Sequence, residues 1–88
     1  MQTAAYWQTL FQRWPASLPR QGLVVTVFQE AIPFSDFLLS EGLLLLERDK
    51  PDSTGARKVI LCFDAIAGVK ITSTIELARF RELGFSPR

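Results

Sequence analysis

The sequence predicts a mainly β domain of the α+β class: an N-terminal helix, about five short bent strands forming a small barrel, and a C-terminal helix. Three patterns carry this. Near the start, Trp7, Leu10, Phe11 and Trp14 recur at the i, i+3, i+4, i+7 spacing of one helix face. Between Leu23 and Thr72, short apolar runs rich in β-branched residues alternate with turn residues. After them, Ser73-Thr74-Ile75-Glu76 has the spacing of a capping box ahead of a last apolar stripe. The chain of 88 residues is expected to form one domain spanning 1–88.

Each element follows from its local chemistry. Thr3 is placed to cap the first helix and Pro15 to end it, because proline clashes with the preceding turn. The aromatic stripe is expected to pack on the body of the domain. The linker Ala16 to Gly22 is punctuated by Pro19 and Gly22. Leu23-Val24-Val25-Thr26-Val27-Phe28 reads as a strand covered on both faces, with a turn at Glu30-Ala31.

The stretch Ile32 to Gly42 supports two readings. As a strand, the favoured one, it places Ile32, Phe34 and Leu38 on one face, with Pro33 near the strand's start. As a helix, Ser35 is the N-cap and Gly42 the left-handed residue past its end.

Leu43-Leu44-Leu45-Leu46-Glu47 reads as a further covered strand. The loop Arg48 to Gly55 is dense in turn residues. Lys58 to Phe63 is the next strand, with Val59, Leu61 and Phe63 on one side and Ile60 and Cys62 on the other. Asp64 to Gly68 is a tight joint, and Val69 to Thr72 a last strand with Lys70 outward. In the C-terminal helix, Leu77, Phe80 and Leu83 share a face, and Arg79 and Arg81 lie near the negative end of its dipole. Gly84 takes the left-handed position past its end, with Phe85 folding back on Phe80.

Composition excludes several functions. The chain has no His and one Cys, so a Cys/His metal centre and a His general base are both out of reach. No carboxylate pair is forced together by spacing; Asp36 with Glu30 or Asp64 is the nearest candidate. A non-enzyme is expected, with no catalytic residue, metal or cofactor. The loop Glu47 to Lys58 lacks the spacing of a phosphate loop or a calcium loop and reads as a solvated hairpin of alternating charge. Cys62 lies in an apolar run without a basic neighbour and is expected to be buried and inert. Ten Lys+Arg against nine Asp+Glu give no basic field for duplex DNA. The absence of a signal-like start and of a long apolar run points away from membranes and to the cytoplasm.

Self-association is the main functional expectation. A domain this small buries only about 60–65% of the surface of its unfolded chain. Yet several of its strands are apolar on both faces, and an open barrel leaves edges that pair readily. The expected role is a structural or adaptor barrel contacting protein partners.

A helix followed by five bent strands resembles the Sm-like family, which includes bacterial Hfq, over roughly Tyr6 to Thr72. Phe63-Asp64-Ala65-Ile66-Ala67-Gly68-Val69-Lys70-Ile71 looks like its second motif, and Gly22-Leu23-Val24-Val25-Thr26-Val27 resembles its first strand. SH3-like barrels share these patterns. The resemblance implies rings of six or seven subunits. Their contact joins the fourth strand of one subunit to the fifth of the next, here Val59, Leu61 and Phe63 to Val69 and Ile71. It also implies RNA bound near a central pore. The family's Asn, Asp and Lys-His or Arg-Gly positions are replaced here by Ser40-Glu41-Gly42 and Asp64-Ala65-Ile66, which repel or ignore phosphate. RNA binding is therefore the alternative reading. Arg57, Lys58 and Lys70, with Arg13 and Arg20, are its available phosphate contacts, and Trp7, Trp14, Phe28, Phe34 and Phe37 its available stacking platforms.

Overall fold

The computed structural model describes residues 3–87. Helix α1 spans Thr3–Gln12, followed by strands β1 Gly22–Thr26, β2 Ala31–Phe34, β3 Asp36–Ser40, β4 Leu43–Glu47, β5 Lys58–Cys62 and β6 Ile66–Lys70. A 3₁₀ turn, Phe63–Ala65, joins β5 to β6, and a 3₁₀ helix, Leu77–Leu83, closes the chain. The strands form two antiparallel three-stranded sheets, ordered β2-β1-β6 and β3-β4-β5. Among the described residues no ladder joins β5 to β6.

The stretch at 31–40 is strand, and six strands stand where about five were expected, because this one breaks in the middle. Gly22 pairs with Phe34 and Asp36 with Glu47, so Ser35 belongs to neither register. Its amide donates to the Glu47 carbonyl at 2.8 Å, which carries the chain from one sheet to the other without an unpaired donor. The extra residue shifts the alternation. Ile32 and Phe34 face the core before it and Phe37 after it, while Leu38, expected beside Phe34, points outward.

Five aromatic rings fill the space between helix and sheets. Phe11 stacks on Trp14 with ring centroids 5.5 Å apart, meets Phe37 edge-on at 5.0 Å and reaches Phe63 at 6.3 Å. Phe34 completes the cluster against Trp14 at 6.4 Å. Edge-to-face packing of this kind adds about 0.5–1.5 kcal/mol per pair beyond area burial. The stripe on α1 thus packs on the body of the domain, although the helix ends at Gln12 and Trp14 lies beyond it. The Trp14 indole N–H donates to the Leu18 carbonyl at 3.1 Å, which fastens the linker under the helix. Thr3 is itself the first helical residue, so the capping position falls outside the described residues.

Other boundaries move for local reasons. Strand β1 stops at Thr26, whose hydroxyl accepts from the amides of Phe28 and Glu30, both at 3.2 Å. The turn this builds starts earlier than Glu30-Ala31 and leaves Phe28 in solvent rather than in a covered strand. Strand β6 begins at Ile66, inside the expected joint.

The C-terminal element is a 3₁₀ helix over Leu77–Leu83 rather than a helix capped at Ser73. Glu76 holds the N-cap position without a side-chain cap, and the Ser73 hydroxyl instead accepts from the Gln21 side-chain amide at 2.9 Å. Gly84 does take the left-handed conformation, with φ +97°, and the Phe85 amide donates to the Phe80 carbonyl at 3.4 Å.

Candidate interaction surface

The outer face of the β3-β4-β5 sheet is built by register. Residues directly opposite in antiparallel strands point to the same side. Leu38 pairs with Leu45 and Leu45 with Ile60, so these three form an apolar row across the sheet. Beside it runs a charged row, Asp36, Glu47 and Lys58, and on its other flank Ser40, Leu43 and Cys62. Leu38 is 65% and Ile60 66% exposed, although both lie in mid-strand. Leu44 and Leu46, one step along β4, are fully buried. The Leu43–Leu46 run is therefore apolar on both faces, but this chain covers only one of them.

The charged row is internally paired. Lys58 Nζ lies 3.3 Å from a Glu47 carboxylate oxygen. Arg20 Nε donates to Asp36 at 2.8 Å, and its other nitrogen donates to the Phe37 carbonyl. The bond from Arg20, followed by that from the Phe37 amide, holds the Asp36 carboxyl below its ordinary value.

Strand edges are the second feature. Among the described residues, strand β5 pairs on one side only, with β4, and β6 on one side only, with β1. The side chains expected to join subunits do not line these edges outwardly. Phe63 is buried in the core, and Val59, Leu61, Val69 and Ile71 are half-buried against it. What β5 offers a neighbour is its backbone, together with Ile60 and Cys62 on the outer face.

Cys62 is exposed, contrary to expectation, because it follows Ile60 on the outward side of β5. The Asp64 carboxylate pushes the thiol's pKa up from the ordinary 9.0, so it stays protonated at neutral pH.

The basic residues are dispersed. Arg57 and Lys58 sit at the start of β5, and Lys70 ends β6 in the other sheet. The Ser53-Thr54-Gly55 tip is a closed turn. Asp52 accepts from the Thr54 amide and hydroxyl and from the Ala56 amide, all within 2.8 Å. These bonds hold the Asp52 carboxyl below its ordinary value. A phosphate there would meet a carboxylate already holding the loop amides. Of the candidate stacking rings, Trp14, Phe34 and Phe37 are core, Trp7 is half-buried, and Phe28 alone is bare.

The apolar groove at the C-terminus was not legible in the sequence. Leu77, Phe80, Phe85 and Pro87 line an open cavity of about 590 Å³. Scanned against models of known families, the chain matches none, and no match is found among curated proteins or solved structures.

Proposed function

We propose that the two sheets are the halves of one Sm-like or SH3-like small barrel, and that the protein is a non-enzymatic, self-associating adaptor built by pairing β5 of one copy with β6 of the next. The strand order β6-β1-β2 and β3-β4-β5, with β2 and β3 continuous through Ser35, supports the barrel. The observation carrying self-association is that β5 and β6 each keep one unpaired edge, five residues long, at opposite ends of that order. Pairing β5 to β6 in this way is head-to-tail, and the assembly proposed is a closed ring of three or more chains.

Light scattering tests this. The expected solution mass is at least three times 9.9 kDa. A single chain, or a pair and nothing larger, overturns edge pairing.

A second reading, RNA binding on a surface unlike the family's usual one, rests on exposed Arg57, Lys58 and Lys70 beside the two edge strands. It requires retention on single-stranded RNA that falls steeply with salt. A protein adaptor shows none.

A further inference from the structure

We propose that the outer face of the β3-β4-β5 sheet is a second, separate self-association surface, on which two copies pack face to face about a two-fold axis parallel to β4. The occupant is a second copy of this chain, and the argument is the order of charges along the sheet. Across the strands the polar row runs Asp36, Glu47, Lys58, acid at one border and base at the other, with the Arg20 guanidinium bound to Asp36 at 2.8 Å from the side of the linker. Beside it the apolar row runs Leu38, Leu45, Ile60.

A two-fold axis along β4 exchanges β3 with β5 and leaves positions along the strands unchanged. Asp36 of each copy then faces Lys58 of the other, Leu38 faces Ile60, and Leu45 meets its own counterpart. Sheets packed this way lie about 10 Å apart and within about 30° of alignment, close enough for both rows to meet. Glu47 also meets its counterpart, each held by its own Lys58 at 3.3 Å. Both borders of the row become complementary at once, which is what an isologous contact demands of one surface.

The competing axis, across the strands, fails on the same residues. It lays the charged row on Ser40, Leu43 and Cys62, and sets Glu47 against Leu43, a carboxylate desolvated without a new partner. The charges therefore select one of the two face-to-face arrangements. Edge pairing of β5 with β6 leaves this face free, so the two contacts are compatible and separable.

The experiment places a single thiol at the axis. Leu45→Cys in a Cys62→Ser background is treated with a short bismaleimide, and Ala31→Cys in the same background, exposed on the other sheet, is the control. Leu45→Cys is expected to cross-link to itself about tenfold faster or more. In the Leu45→Cys background, Asp36→Arg sets two cations face to face at each border, and Lys58→Glu sets two anions. Each alone is expected to lose about tenfold of the cross-linked product. Mixed in equal amounts they restore it, because the introduced arginine of one variant then faces the introduced glutamate of the other, while the native Lys58 and Asp36 that remain face each other. Recovery on mixing excludes misfolding as the cause of the loss. Cross-linking no faster than the Ala31→Cys control, or a mixture no better than its components, overturns the proposal. Edge pairing alone keeps the two introduced thiols several strands apart, so it yields high mass without this cross-link.

Discussion

The Arg20 guanidinium lies 3.8 Å from the centroid of the Phe37 ring while its Nε binds Asp36 at 2.8 Å. One linker side chain thus clamps the first two residues of β3, one through its ring and backbone carbonyl and one through its carboxylate. The planar fork covers a core aromatic on its solvent side and pins the linker across the sheet border.

Arg20→Ala is expected to cost about 1 kcal/mol, since the pair is half-exposed and screened by water. Arg20→Lys recovers little, because an ammonium cannot stack and fork together. The pH dependence has a definite sign. Asp36 titrates below its ordinary 3.8 in the folded protein. The stability from its pairing is therefore complete above about pH 5 and disappears as pH falls through the lowered value. Urea midpoints across the acid range should show wild type and Arg20→Ala converging at low pH.

Neighbouring leucines on β4 should differ sharply. Leu46→Ala removes a fully buried side chain and should cost about 2–5 kcal/mol by the cavity it leaves. Leu43→Ala, on the solvent side, should cost under about 1 kcal/mol. Equal losses in chemical denaturation would mean that the alternation along β4 is otherwise.

Gly22→Ala should destabilise by about 1–3 kcal/mol, through close approach rather than backbone entropy. A Cβ at this position collides with the backbone carbonyl oxygen of Lys70, which sits on the adjacent strand. The loss should appear as faster amide exchange in β6, leaving β4 protected.

Binding to single-stranded RNA should be absent at every salt concentration if the adaptor reading holds. A log–log salt slope reduced by about one in each of Arg57→Ala and Lys70→Ala would instead assign those residues to phosphate.

The sequence made the inventory of elements legible, because β-branched runs and the α1 stripe are local signals. The Val59, Leu61, Phe63 side can be read from alternation alone, whereas the four successive leucines at 43–46 carry no alternation and read as covered on both faces. The exposure of Leu38 cannot be read that way. Its face depends on Ser35 standing outside both registers, and no propensity marks that residue as extra. Cys62 reads as an inside residue because its neighbours are oily, although the same alternation that buries Phe63 sends it out with Ile60. The Ser73 box fails for a tertiary reason, since Gln21 takes up the hydroxyl that the cap requires. The outer-face rows depend on pairing across strands, which spacing along the chain cannot show.

Ser35 has a wider consequence. Remove it, and Phe34 inward, Asp36 outward, Phe37 inward would follow in unbroken rhythm, one flat ribbon with no reason to crease. One supernumerary residue is therefore the spine along which this small leaf is folded. Without that crease the helix would have no hollow to lie in.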